Sequence, residues 1–247
     1  MTDQSDEIGR AGVLEVIACT VEDALEASRG GADRLEVVRE LEHGGFTPPI
    51  DLVRDIQRAV VLPLRVMLRE AHGYGLTEMI AAEKLCCLAS VFDDMGVDGV
   101  VLGFLRAGGI DIEMTGKVLS CAPRTMATFH HAFEDADDKF DAIEDLKLMP
   151  QIDHILAHGG DGGWAMKAAR LEEYAKAAGS GIKILAGGGV DVGVIRLLME
   201  QTPIREFHVG SATRRDGAVS AELVATLARA LRDEPNTDEV RSISPAG

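Results

Sequence analysis

Aromatic residues are scarce in this chain. They make up 4% of its 247 residues, with a single Trp, so the core has to be built from Leu, Val, Ile, Ala and Met. No apolar run approaches the ~20 residues that cross a bilayer, and no basic-then-apolar leader opens the sequence, so the expected location is the cytoplasm. Positive charge is also in short supply: 25 Lys and Arg face 41 Asp and Glu, for a formal charge of −16. A nucleic-acid or anionic-membrane surface needs clustered Lys and Arg, and both partners are therefore excluded. A small anionic ligand is not, because local backbone dipoles can oppose the global field. The four cysteines form no C-x-x-C, which fits a reducing compartment and no structural disulfide. Cys86 and Cys87 fall within a wide apolar helix face and read as core. No G-x-G-x-x-G follows the first strand, no Ser-His-Asp or Cys-His signature is present, and no lysine sits at a strand end for Schiff-base chemistry.

What is present is a regular alternation of short apolar runs and helix-forming segments. The runs are Val13–Ala18, Asp33–Val38, Leu64–Arg69, Gly99–Leu102, Thr125–His130, Asp153–Ala157, Ile182–Ala186 and Glu206–Val209. A helical segment follows each run. Thr20, Thr47 (before Pro48) and Ser220 are expected to start helices by side-chain capping, and a long helix is expected from Thr77 to Met95. Eight βα units at a spacing of about thirty residues predict a single-domain (βα)₈ barrel. It would occupy residues 11–232, between a loose leader over 1–10 and a disordered tail over 233–247. An open doubly wound sheet is the alternative.

Reactive residues of such a barrel collect at the carboxyl ends of the strands. Those ends carry Glu15, Cys19, Glu36, Arg69, His130, His158 and His208. Glu15, Glu36, Arg69 and His208 interrupt apolar runs, where a charge must be paired or solvated. One reading is an internal salt-bridge network with Arg69 between Glu15 and Glu36. Another makes Glu15, Glu36, Arg69, His130 and His208 a catalytic pocket, with Arg69 binding an anion and a His or Glu moving protons. A third is a metal site from His130, His158 and His208, with Cys19 nearby. His131 should face away from His130 in a strand. The last two units end in glycines, I-K-I-L-A-G-G-G-V-D and E-F-H-V-G-S-A, each followed by a helix-forming segment. Bare N–H groups at Gly188, Gly189, Gly210 and Ser211, with Arg69 or Arg214 in reach, would hold a phosphate or similar anion. The same glycines could serve tight turns alone.

These segments resemble the CutC family, named for copper homeostasis. The resemblance runs in order through L-E-V-I-A-C-T-V-E-D-A at Leu14–Ala24, G-G-A-D-R-L-E at Gly30–Glu36 and G-G-F-T-P at Gly44–Pro48. It continues through V-M-L-R at Val66–Arg69, T-F-H-H-A-F-E at Thr128–Glu134, A-G-G-G-V at Ala186–Val190 and E-F-H at Glu206–His208. It implies a (βα)₈ barrel, often a homo-oligomer, linked to copper(I) binding and copper tolerance. Cysteines proposed as copper ligands in some relatives fall on Ile17 and Val38 here. Soft copper(I) takes thiolate or thioether ligands, so the resemblance carries over the pocket better than the metal. The functional expectation is a CutC-like barrel associated with copper homeostasis, or else a barrel enzyme acting on a small anionic, phosphorylated metabolite. The cofactor expectation is a metal ion at most, with copper disfavoured.

Overall fold

A computed structural model describes residues 12–75 and 79–232. The expected leader, the tail and the helix start at Thr77 lie outside the described residues. Eight parallel strands close into a barrel. We number them β1 (Val13–Ala18), β2 (Arg34–Val37), β3 (Leu64–Met67), β4 (Gly99–Leu102), β5 (Met126–Phe129), β6 (Ile152–Ala157), β7 (Lys183–Ala186) and β8 (Glu206–Val209). Each strand pairs with its sequence neighbours, and β8 pairs back onto β1. The helices between and after them are α1 (Val21–Arg29), α2 (Ile50–Ala59), α3 (Met79–Met95), α4 (Ile112–Ser120), α5 (Lys139–Lys147), α6 (Trp164–Ala178), α7 (Val192–Gln201) and α8 (Ala221–Leu231). The open-sheet alternative is excluded.

Strand alternation divides the side chains into two populations. Leu14, Val16, Leu35, Val37, Leu64, Val66, Val100, Phe129, Ile155 and Phe207 join the large apolar cluster between sheet and helices. The residues between them point the other way, into the barrel, and many are charged: Glu15, Arg34, Glu36, Arg65, His154, Glu206 and His208. Gly99 is needed among them, because a Cβ there would lie 2.4 Å from Arg65 Cδ.

Thr20 caps α1 as expected, accepting from Asp23 N at 3.0 Å. The other two expected caps work differently. Thr47, held extended by the following proline, spends its hydroxyl on the end of β3: Oγ1 accepts from Arg69 N at 2.9 Å and donates to Arg69 O at 3.0 Å. Pro49 sits at the N-cap of α2 with no side-chain bond. Ser220 makes no side-chain cap either, and the first amide of α8, on Ala221, donates instead to Glu26 Oε2 of α1 at 3.1 Å.

Candidate active site

The charged interior begins with a layer toward the amino ends of the strands. Arg34 Nε donates to Glu15 Oε2 at 2.5 Å, and Arg34 Nη1 lies 3.2 Å from His154 Nε2. His154 sits between Asp153 and Glu206, with 2.7 Å from Nδ1 to Asp153 Oδ1 and 2.8 Å from Nε2 to Glu206 Oε2. Arg65 clasps Asp153 with two parallel bonds of 2.8 and 2.7 Å, and its Nε lies 2.8 Å from Asp98 Oδ2. Burial opposes the charge of His154, yet the two carboxylates raise its pKa above the usual imidazole value. This is the internal ionic network expected from the sequence, but its arginines are Arg34 and Arg65, and the one that meets Glu15 is Arg34, not Arg69.

Above it, Glu15 faces His208 across the β1–β8 seam, where the two are Cα partners. Glu15 Oε1 lies 2.8 Å from His208 Nδ1. Burial would raise the Glu15 pKa, but Arg34 and His208 outweigh it and hold the carboxyl far below the usual range. His208 Nε2 in turn lies 3.7 Å from Glu36 Oε2. Burial would lower the His208 pKa, and Glu36 and Glu15 together raise it. Glu36 is 3% exposed, and its carboxyl makes no hydrogen bond among the described residues. Burial pushes its pKa up to about 7 despite the pull of His208. A neutral or easily protonated carboxyl thus stands beside an imidazole whose other nitrogen is fixed by a carboxylate, the arrangement general acid–base chemistry uses.

Glu36 and His208 open onto a cavity of about 320 Å³ at the carboxyl ends of the strands. Its lining combines apolar side chains (Ile17, Val38, Leu41, Met67 and Leu156) with Arg69, Tyr74, His130 and His131. Burial drives both His130 and His131 down to about 3, so both are neutral. His130 Nδ1 accepts from Ala132 N at 3.1 Å. His131 does not turn away as a strand alternation requires. β5 ends at Phe129, and His131 opens a 3₁₀ turn (His131–Asp135) that brings its ring into the cavity.

Of the sequence-derived pocket set, Glu36, Arg69, His130 and His208 line this cavity, and Glu15 lies behind His208. The metal set does not assemble. Among the described residues no three His, Cys, Asp or Glu side chains form a metal-binding group. His158 Nδ1 lies 3.2 Å from the Gly160 carbonyl, and Cys19 accepts from Arg214 Nη2 at 3.8 Å, outside the cavity lining.

The glycine turns are only half as expected. Gly188 and Gly189 adopt φ of 77° and 91°, a backbone that favours glycine, and α7 follows with Asp191 capping Val194 N at 2.9 Å. Gly210 and Ser211 lead instead into a 3₁₀ turn (Ser211–Thr213) and a short hairpin, so α8 begins ten residues later. Arg214 is spent on Asp23 at 3.1 Å and on the carbonyls of Ile17 and Gly217 at 2.9 and 2.8 Å. Arg69 lies against Phe46 and Tyr74, its Cζ 5.1 and 5.5 Å from their ring centroids.

The CutC family profile matches residues 13–213, nearly the whole barrel. The chain belongs to the CutC family. A copper homeostasis protein cutC homolog of Homo sapiens is 30% identical over 220 residues, covering 85% of this chain and 79% of that protein. A family protein CutC of Xylella fastidiosa (strain Temecula1) is 31% identical over 216 residues, covering 85% and 80%. Among solved structures, the CutC protein from Streptococcus agalactiae superposes with a TM-score of 0.75 at 22% identity, covering 81% of this chain and 98% of that one. A phosphoribosylanthranilate isomerase from Pyrococcus furiosus shares the barrel at a TM-score of 0.60 and 12% identity, covering 90% and 99%.

In this CutC barrel, Ile17 and Val38 pack together with Met67 and Val101 in a small apolar cluster of their own, against which Cys19 and Leu41 lie. The cluster itself offers copper(I) one thioether, and the Cys19 sulfur at its edge accepts from Arg214 Nη2. The donor chemistry does not fit a resident copper ion.

Proposed function

We propose that this CutC-family barrel is an enzyme that moves a proton on a small anionic metabolite bound in the cavity over Glu36 and His208. The carrying observation is Glu36: a buried carboxyl with no hydrogen-bond partner among the described residues, titrating near neutrality and facing a cavity. Burying such a group costs free energy that folding alone does not recover. Glu36 exchanges the proton with substrate. His208, fixed by Glu15, stabilises the charge that develops.

A phosphorylated substrate is supported by the glycine turn after β7. The amides of Gly188 and Gly189 donate to no protein acceptor among the described residues, and those of Gly210 and Ser211 border the same side of the barrel. The protein is proposed to work in the cytoplasm as a homo-oligomer, which cell fractionation and native mass spectrometry check.

The test is solvent exchange. The protein is incubated in D₂O with a panel of small phosphorylated and oxo or hydroxy acids, and deuterium uptake at carbon is followed by NMR. Uptake with wild type and its loss in Glu36→Gln and His208→Asn support the reading; equal traces for all three proteins sink it. The relatives' copper name carries over here only as an indirect role. An anaerobic copper(I) titration against a competing chelator checks this, and stoichiometric tight binding abolished by Cys19→Ser would restore a direct one.

A further inference from the structure

Arg69 is held in one orientation by everything around it. Its backbone is pinned by Thr47 on both N–H and carbonyl. Its Nη1 points at the carbonyls of His43, Gly44 and Gly45 at 3.3, 3.3 and 3.4 Å. Phe46 and Tyr74 present their rings to the guanidinium. Fixing the group this way removes the rotamer freedom that a surface arginine would lose on binding.

One edge remains. Nε is buried without an acceptor, and Nη2 takes no partner among the described residues. No carboxylate among them lies within ion-pair distance of Arg69, whereas the interior arginines Arg34, Arg65 and Arg214 each have at least one. An unpaired guanidinium is out of place in a chain of net charge −16 unless its counter-ion arrives with a ligand. The Nε–Nη2 edge offers two parallel N–H donors, the spacing that matches both oxygens of a planar carboxylate.

We propose that this edge receives the carboxylate of a short-chain oxo or hydroxy monocarboxylic acid whose exchangeable C–H, on the carbon next to the carbonyl or on the hydroxyl-bearing carbon, reaches Glu36 and His208. The inference rests on the cavity being the reaction site and is independent of the glycine turn after β7. Among the described residues that line the cavity Arg69 is the one permanent cation, which balances a single negative charge. The volume of about 320 Å³ is that of on the order of ten waters at ~30 Å³ each. The apolar wall at Ile17, Val38 and Met67 suits a short hydrocarbon body.

Isothermal titration of the full chain with pyruvate, 2-oxobutyrate and lactate, their primary amides, and inorganic phosphate tests this. The acids are expected to bind and the amides to bind at least tenfold more weakly. Arg69→Met should lose tenfold or more for the acids alone, and Arg69→Lys should recover only part, since a point charge cannot make the paired contact. Glu36→Gln should keep acid binding while losing deuterium exchange. No acid binding, equal binding of acids and amides, or undiminished acid binding by a folded Arg69→Met overturns the proposal. The comparison of acids with amides needs no variant. Exchange on a phosphorylated compound that survives in Arg69→Met would overturn the carboxylate seat while leaving the proton-transfer reading standing.

Discussion

His208 Nδ1 and Glu15 Oε1 lie 2.8 Å apart although 193 residues separate them in the chain. The bond crosses the seam where the last strand meets the first. It sets the orientation of the imidazole that faces Glu36, and Arg34 holds the second oxygen of the same carboxylate.

Replacing Glu15 with Gln should therefore be costly to the fold as well as the site, because it leaves Arg34 buried without its closest counter-charge. The expected loss is about 3–5 kcal/mol. Glu15→Leu combined with Arg34→Met should recover much of it. Urea unfolding of the three proteins checks this; equal stability of Glu15→Gln and wild type would show that Glu206 alone suffices for Arg34.

Glu36 gives stability a definite pH dependence. Its folded-state pKa of about 7 lies above the ordinary 4.5. Below about 4.5 the carboxyl is protonated in both states and its contribution is complete. Between about 4.5 and about 7 the unfolded chain loses the proton first, so stability falls as pH rises, by at most ~1.4 kcal/mol per unit. His208, also raised, adds a loss in the same direction. Glu15, held low, acts oppositely: its contribution is present above the ordinary carboxyl range and disappears in acid. The difference in unfolding free energy between wild type and Glu36→Gln, measured across this window, should slope downward with pH. A flat difference would place the Glu36 carboxyl in water.

The apolar cluster at Ile17 and Val38 makes a gain-of-function prediction. The paired substitution Ile17→Cys and Val38→Cys puts two thiols beside the Met67 thioether, a soft donor set. Anaerobic competition with a chelator should show copper(I) binding at least tenfold tighter than wild type. Unchanged binding would mean that the two positions cannot point sulfur at a common centre.

Gly99→Ala should destabilise the protein by roughly 1–3 kcal/mol, because the added Cβ lies 2.4 Å from Arg65 Cδ and 2.5 Å from its Nη1. Gly116→Ala, in α4 with no atom within 4 Å of the new Cβ, should instead stabilise by about 0.5–1 kcal/mol. Thermal melts of the pair separate close approach from helix propensity.

The barrel was legible because every strand is a short apolar run bounded by turn or cap residues, and period counting needs nothing more. The pocket was partly legible for the same reason: Glu36, His130 and His208 stand out as charged or polar residues within those runs. Arg34 and Arg65 sit in R-L-E-V and L-R-V-M, which like E-F-H-V display a strict alternation, whereas His154 lies in I-D-H-I-L-A, where it is blurred. That pattern carries the information that a whole face of the sheet is polar. Which cation meets which carboxylate depends on strand register around the barrel, which local sequence does not encode, so Arg69 was paired where Arg34 belongs. His131 is misplaced by a strand reading because the strand ends at Phe129, one residue before its run does, and a 3₁₀ turn starts at His131. The turn after β8 looked like a helix start because Gly-Ser is a common lead-in, whereas the Arg214–Val219 hairpin has no apolar period to announce it.

The ionic layer of Arg34, Arg65, Asp153, His154 and Glu206 fills the barrel beneath the cavity and leaves the carboxyl-end mouth as the way in and out. For the proposed proton transfer, a chamber with one door would impose an order of events: product would depart by the route the next substrate uses, and the two could not be present together. Product of that proposed reaction should accordingly compete with substrate rather than bind alongside it, so product inhibition would report directly on the shared entrance.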